Sequence, residues 1–171
     1  MFSKFKSTIL KVIGVLALIG VLIITVIVTL AVNANDNAVT RLSVVSAKPT
    51  LFTYNNAPGE VPGRNTYYAA ELTKSSGEAF GLLTGHDSSI VPFQVNQEEA
   101  RLRTLIFRLP EGQIVAMGNS VYPNGAVEIE PNASITIAVT GGTGEYIGAR
   151  GEVISTKNED GTYTHEFILR R

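Results

Sequence analysis

Apolar and polar residues alternate on both sides of a glycine-rich stretch near the end of the chain, residues 138–153. Before the glycines, large apolar residues occupy every second position of residues 135–139, and after them residues 152–155 resume an extended pattern. A period of two is typical of a strand with one buried face, and glycine permits the backbone conformations of a tight connection. The stretch therefore predicts two neighbouring strands. Three structural glycines are expected in the turn between them: Gly141, Gly142 and Gly144.

Similar short segments recur along the rest of the chain. Turn-forming clusters of glycine, proline, asparagine and serine separate them. The pattern predicts strands at residues 42–47, 51–54, 66–73, 79–84, 103–109, 113–122, 133–140, 146–156 and 162–169. Residues 85–89, Gly-His-Asp-Ser-Ser, predict a turn, and residues 97–101 fit either a helical turn or an exposed loop.

Eight to ten short strands without a convincing soluble helix favour an all-β fold, either a closed barrel or a sandwich. Closure removes the exposed edges that an open sheet has to protect. An eight-stranded barrel has an interior just wide enough for side chains or for one small ligand.

A long apolar run near the amino terminus, residues 12–32, has a different character. As a helix it would span about 31 Å, enough to cross a bilayer. Three lysines precede it, which places the amino terminus in the cytoplasm and the strands outside. We therefore expect a membrane anchor or signal in residues 1–34, a polar linker in 35–40 and the β-domain in 41–171. Retention of the anchor and cleavage after Ala34 both stay open.

Composition excludes several kinds of function. The 171 residues include no cysteine, so the chain has no disulfide framework, no thiolate metal site and no cysteine nucleophile. A net charge of −1 gives no reason to expect nucleic acid as a partner. The length fits one domain beyond the anchor.

Familiar active-site motifs are missing. Residues 140–148 look like a dinucleotide-binding loop, but too little chain follows to complete that fold, and glycines would break the required helix. The two histidines, His86 and His165, lack the spacing of a zinc-protease motif, so no metal site is expected. Neither a Gly-x-Ser-x-Gly motif nor separate triad partners are present.

Residues 138–153 resemble the carboxy-terminal signature of the allene oxide cyclase-like and dirigent-like barrel family. Residues 107–118 and 80–85 are similar to earlier strands of that family, and the resemblance covers roughly residues 60–170. It implies an eight-stranded antiparallel barrel with an apolar lumen, usually assembled as a trimer.

The resemblance also directs attention to particular side chains. In dirigent-like proteins the arginine of an Ala-Arg-Gly triplet is associated with the pocket, and Arg150 holds that position here. We expect catalytic roles for Arg150, Glu71 and Tyr68. We expect ligand-binding roles for Arg103, Phe107 and Tyr146. For Arg150 an outward ion-paired position, and for Tyr68 a core position, stay open as alternatives.

The chain also departs from its plant relatives. An ungapped alignment sets their Gly-Asp strand start, strand asparagine and buried cysteine against Gly63-Arg64, Ala70 and Asp87. The plant epoxide cyclisation is therefore not supported, although the barrel is.

We expect an extracytoplasmic barrel that encloses an apolar small molecule and steers its cyclisation or coupling without a cofactor. Whether it is an enzyme stays open. One alternative is a non-catalytic, membrane-tethered barrel that is structural or binds a lipid or another hydrophobic ligand, and another is a lumen packed shut by side chains. A purely aliphatic and aromatic lumen would favour carriage, whereas converging Glu, Arg and Tyr side chains would favour chemistry.

Overall fold

The computed structural model describes residues 39–54, 65–93, 98–123, 126 and 128–170. The predicted anchor at residues 12–32 lies outside the described residues. In the described part of the chain, no helix has the length and apolar character needed to cross a membrane.

The described chain forms a single antiparallel sheet of nine strands, joined in the order β1-β9-β8-β7-β6-β5-β4-β3-β2. Except at β1 and β2, strands that follow one another in sequence are also neighbours in the sheet. The strands are β1 Val39–Ser46, β2 Thr50–Tyr54, β3 Asn65–Thr73, β4 Ala79–Phe93, β5 Glu98–Leu109, β6 Gly112–Pro123, β7 Ser134–Gly144, β8 Arg150–Lys157 and β9 Tyr163–Arg170.

The sheet closes on itself through β1. This strand pairs along its whole length with β9, and its last two residues also pair with Leu72 and Thr73 of β3. The amide of Ala47 then donates to the carbonyl of Glu71 at 2.8 Å, and β2 continues along the same edge of β3. Because β1 and β2 share one position in the ring, the predicted closed, eight-stranded antiparallel barrel is confirmed.

The period of two sets which side chains enter the barrel. In β9, Tyr163, His165, Phe167 and Leu169 are buried, and the residues between them are half-buried or exposed. The same alternation runs through β3 and through most of β7. The buried residues of all strands therefore meet in one common interior.

The boundaries of two elements differ from the sequence prediction. The turn predicted at residues 85–89 is wrong, because these residues lie within the long strand β4 and pair with β5. Residues 98–101 belong to β5, so they form neither a helical turn nor a loop. Alternating polar residues that face the interior explain both errors, since polarity alone suggests an exposed turn.

The glycine-rich stretch is also shifted relative to the prediction. Gly141 and Gly142 lie in β7, where they pair with β6, and the turn itself occupies residues 145–149. Gly144 ends the strand with a φ of 62°, in the left-handed region that favours glycine. The prediction of two neighbouring strands on either side is confirmed.

A glycine in β4 determines how a tyrosine crosses the interior. Gly85 pairs directly with Tyr68 of β3, and both positions face inward. A methyl group at position 85 would overlap the Tyr68 ring. The missing side chain therefore lets the tyrosine ring lie flat against the barrel wall.

We expect Gly85→Ala to destabilise the barrel by about 1–3 kcal/mol, because the added methyl group forces the Tyr68 ring to move in a packed interior. Urea unfolding of the purified protein measures this change. Gly141→Ala is the matched control, since a Cβ there meets nothing within 4 Å and its backbone is not left-handed. Equal stability of the two variants would contradict the proposed packing of Tyr68.

Candidate functional site

The barrel interior has an apolar end and a polar end. Along β5, the buried residues change from Arg101 and Arg103 to Leu105, Phe107 and Leu109. Strand β9 changes in the same sense, from Tyr163 and His165 to Phe167 and Leu169. Strands β5 and β9 run in the same direction, because three antiparallel strands lie between them, so their polar residues gather at one end, where β3 begins and β4 ends. A candidate site therefore lies at that end.

An ion pair with two tyrosines forms the centre of the polar end. Nε of Arg103 donates to Oδ1 of Asp87 at 3.0 Å, and its second terminal nitrogen donates to Oδ2 at 3.2 Å. The Tyr68 hydroxyl donates to Oδ1 and the Tyr122 hydroxyl to Oδ2, each at 3.2 Å. The buried carboxylate thus accepts four hydrogen bonds, which offset the cost of removing it from water.

The two tyrosines keep their protons under physiological conditions. Burial is the main cause that raises the pKa of Tyr122 to about 12, and burial likewise raises the pKa of Tyr68 well above its usual value. The Arg103 guanidinium lies near both rings, at 5.8 Å from the Tyr68 centroid and 5.5 Å from that of Tyr122. Both phenols therefore act as hydrogen-bond donors rather than as bases.

A second ion pair lies next to the first. Arg101 donates from Nε and from a terminal nitrogen to the two carboxylate oxygens of Glu99, both at 3.0 Å. It also donates to the Ala126 carbonyl, and the Ser89 hydroxyl donates to the same glutamate. Its guanidinium carbon lies 4.0 Å from the Tyr122 ring centroid. Tyr122 is thus held between the two arginines.

A histidine between two serines forms the third polar group. Nδ1 of His165 lies 2.8 Å from the Ser155 hydroxyl, and Nε2 lies 3.2 Å from the Ser46 hydroxyl. Burial, reinforced by the positive charge of Arg103, lowers the pKa of His165 to about 3. The imidazole is therefore neutral at physiological pH and is a poor general base.

These groups surround a small cavity at the polar end. Its walls include Ser46, Tyr68, Asp87, Arg103, Ser155 and His165, together with apolar side chains from Pro49, Leu51, Leu83 and Leu105. The cavity volume is about 30 Å³, enough for one or two water molecules. Side chains thus fill most of the described interior, and a larger ligand has to displace some of them.

Tyr163 also lines this cavity. Its ring is 7% exposed and stacks on His165 with centroids 6.3 Å apart. Within the described chain, the hydroxyl has no hydrogen-bond partner. Burial raises the pKa of Tyr163, so its hydroxyl keeps its proton and can donate a hydrogen bond.

The structure brings together some of the residues selected from the sequence and separates others. Tyr68 and Arg103 both line the cavity, and Phe107 lies below it, 5.0 Å from the His165 ring centroid. Glu71 and Arg150 instead face outward from the barrel wall, at strand positions of the opposite parity. These two therefore lie apart from the polar cluster.

The remaining selected residues lie away from the cavity. Tyr146 is buried, but it belongs to the connection between β7 and β8 at the apolar end. The three glycines, Gly141, Gly142 and Gly144, shape the pairing of β7 with β6 and the start of that connection.

Sequence reasoning missed several site residues. The sequence predicts a turn that contains Asp87, although residues 85, 87 and 89 have the same parity as the lumen-facing Leu83. A strand is predicted at residues 162–169, but that prediction does not say that His165 and Tyr163 face the interior. Within the described residues, no three His, Cys, Asp or Glu side chains lie close enough to form a metal site.

The comparisons with known proteins support the architecture. No protein-family model matches the chain. The search of curated proteins also gives no match. Among solved structures, the fold matches pyocyanin demethylase with a TM-score of 0.60, at 21% identity over 77% of this chain and 98% of that chain.

Two Diels–Alderases give similar results. AbnU, described as an exo-specific intermolecular Diels–Alderase, matches with a TM-score of 0.56 at 19% identity over 77% of this chain and 99% of that chain. The Diels–Alderase AbmU from Streptomyces koyangensis matches with a TM-score of 0.58 at 16% identity over 78% and 63% of the two chains. At these identities the likeness shows the shared barrel fold, which agrees with the resemblance found in the sequence.

We expect His165 to make the stability of the barrel depend on pH. Its folded pKa lies below its unfolded value, so the unfolded state binds an extra proton as the pH falls from about 6.5 towards 3. The free energy of unfolding should therefore drop by about 2 kcal/mol between pH 7 and pH 5 on account of this residue.

Urea unfolding at the two pH values measures the drop. His165→Gln should reduce it, and His86→Gln, which replaces the other histidine of the chain on the outer wall, is the matched control. A drop that is the same in His165→Gln and in the natural protein would contradict a buried neutral imidazole.

Proposed function

We propose that this protein binds a small, largely apolar molecule in the barrel lumen and steers its cyclisation or coupling. The observation that carries the proposal is the polar cluster of Tyr68, Asp87, Arg103 and Tyr122 with the adjoining Glu99–Arg101 pair. These groups occupy one end of a barrel interior whose other end is apolar. Two buried ion pairs add little to the stability of the folded barrel, because apolar side chains of similar size would stabilise it equally well. Packing alone therefore does not explain them.

The apolar end supplies shape and excludes water. Phe107 and Phe167 meet edge to face with centroids 4.8 Å apart, and Leu105 and Leu83 continue this surface up to the cavity. A flexible unsaturated chain folded against such walls loses the conformational freedom that slows its cyclisation in water. Control of conformation therefore accounts for most of the proposed rate enhancement.

The polar end supplies hydrogen-bond donors. Tyr163 lines the cavity, and in the described chain its hydroxyl has no hydrogen-bond partner, whereas Tyr68 and Arg103, which line the same space, already donate to Asp87. Donors fixed in a dry site stabilise negative charge that develops on a carbonyl oxygen during bond formation. His165, with a pKa of about 3, offers no matching base at neutral pH. The site thus favours steering and polarisation over proton abstraction.

The structural neighbours add support at the level of the fold. Two of them are named as Diels–Alderases, and a third is described as a cyclase that catalyses a [4 + 2] cycloaddition. These are enzymes that transform small molecules within the same type of barrel. The likeness does not identify the substrate of this protein, because it extends only to the fold.

Carriage without chemistry is the second candidate. It is favoured by the neutral His165 and by an Asp87 carboxylate whose hydrogen bonds come from Arg103, Tyr68 and Tyr122. A barrel of this kind would bind its ligand at the same site and release it unchanged. Product analysis separates the two candidates.

We expect the purified full-length protein to carry a small molecule that native mass spectrometry detects. Incubation with linear polyenes that bear a carbonyl-activated double bond should change the ratio of cyclised products from background. Tyr163→Phe removes the free hydroxyl and should lower the cyclisation rate about 10-fold to 1,000-fold if that hydroxyl stabilises the transition state.

The outer-wall variant Tyr67→Phe is the matched control and should retain the rate. A ligand that is bound but recovered unchanged in every assay would favour carriage. A protein that contains no ligand and takes up none would contradict lumen binding altogether.

We further propose that the barrel forms a homo-oligomer, a trimer by the family resemblance, through an apolar strip on its outer wall. The strip consists of Leu102 and Met117, which are 43% and 41% exposed on the neighbouring strands β5 and β6. Sedimentation velocity should show that Leu102→Lys with Met117→Lys reduces the oligomer to monomers. Thr136→Lys, on the exposed face of β7, is the control and should leave it intact.

The remaining proposal concerns location. The run at residues 12–32, with the lysines that precede it, motivates an anchored protein whose barrel lies outside the cytoplasm. When isolated membranes are extracted with alkaline carbonate and centrifuged, an anchored protein should stay in the membrane pellet. An intact mass that begins after Ala34 would instead identify a secreted barrel.

A further inference from the structure

The number of protons on the Ser46–His165–Ser155 chain limits what it can offer to a ligand. A neutral imidazole carries one proton on its two nitrogens, so one nitrogen donates and the other accepts. Each nitrogen of His165 faces a serine hydroxyl. One serine must therefore donate its proton to the ring. The other accepts from the ring and keeps its own proton for a third partner.

That third partner lies in the cavity. Ser46 and Ser155 both line it, and in the described chain His165 is the only side chain that hydrogen bonds to either hydroxyl. The two serines belong to β1 and β8, on either side of β9. Exchange between the two histidine tautomers thus moves the free hydroxyl proton from one wall of the cavity to the other. In each tautomer the Ser46–His165–Ser155 group presents one hydrogen-bond donor to the cavity.

The charges near the cavity cancel. Three acidic groups each pair with a basic group: Asp87 with Arg103, Glu99 with Arg101, and Glu128 with Lys157. Among the described residues, a ligand carrying its own charge would find no unpaired counter-ion in this buried site. A ligand with an accepting oxygen would instead meet the free serine proton and the Tyr163 hydroxyl.

We infer that the ligand is an uncharged molecule whose ketone, ester or quinone oxygen accepts a hydrogen bond from the serine–histidine–serine chain and another from Tyr163. The inference rests on the proposed function, because it names the substrate class of the same lumen. The rest of the molecule then packs against Pro49, Leu51, Leu83 and Leu105.

Three cyclohexane derivatives test this inference: cyclohexanone, its hydrocarbon isostere methylenecyclohexane, and the charged cyclohexanecarboxylate. The full-length protein in lipid nanodiscs, with ¹⁵N-labelled histidine, is titrated with each probe, and empty nanodiscs correct for partitioning into lipid. Cyclohexanone should bind at least tenfold more tightly than methylenecyclohexane, and the carboxylate should show no saturable binding. The ketone should also shift the His165 ring nitrogen resonances, because it selects one tautomer.

The variants separate hydrogen bonding from packing. Ser46→Ala combined with Ser155→Ala should lower the affinity for cyclohexanone to that for methylenecyclohexane, and should leave the hydrocarbon affinity unchanged. The retained hydrocarbon affinity shows that the double variant still folds. Ser134→Ala, on the outer face of β7, is the matched control and should retain the preference for the ketone.

Two other results would overturn the inference. If the hydrocarbon or the carboxylate binds as tightly as the ketone, the inferred ligand class is wrong while lumen binding stands. If none of the three probes shifts a lumen resonance, both the ligand class and the proposed function fail.

Discussion

The buried ion pair between Asp87 and Arg103 needs hydrogen-bond donors and space from the residues around it at the polar end of the barrel. A carboxylate and a guanidinium lose several kcal/mol of hydration each on entering such an interior, so every remaining lone pair needs a donor. Tyr68 and Tyr122 supply these donors. Gly85 in turn provides the space in which the Tyr68 ring lies. One charge pair thus determines the identity of residues on four different strands.

This arrangement relates the fold to the proposed chemistry. The barrel wall satisfies its own backbone hydrogen bonds, which leaves side chains alone to define the interior. Apolar side chains at one end favour a folded hydrocarbon, and the Tyr163 hydroxyl and the neutral imidazole with its two serines at the other favour an oxygen acceptor. A molecule with both features is held in one orientation along the barrel axis. Orientation of this kind is the contribution that a protein without a strong base can make to a cyclisation.

The barrel could be predicted from the sequence, whereas the site could be predicted only in part. Alternation identifies strands such as β7 and β9 because their buried face is mostly apolar. It fails at β4, where Asp87 and Ser89 face inward and imitate a polar turn. Tyr68 and Arg103, for which we expect catalytic and ligand-binding roles, face inward. Glu71 and Arg150 instead occupy the opposite parity. Which polar residues meet depends on the register between strands, and register is a property of the closed ring rather than of any one segment.

The ring is closed by the first strand of the described chain and the last, since β1 pairs with β9 from Val39↔Arg170 to Ser46↔Tyr163. During synthesis, β3 to β8 can form hairpin by hairpin, whereas the seam has to wait until the final strand has left the ribosome. Long-range closure of this type costs loop entropy before its contacts are gained, so it slows folding. Until then the sheet has two free edges that can pair with strands of other chains. The newly synthesised protein is therefore prone to aggregation during this interval.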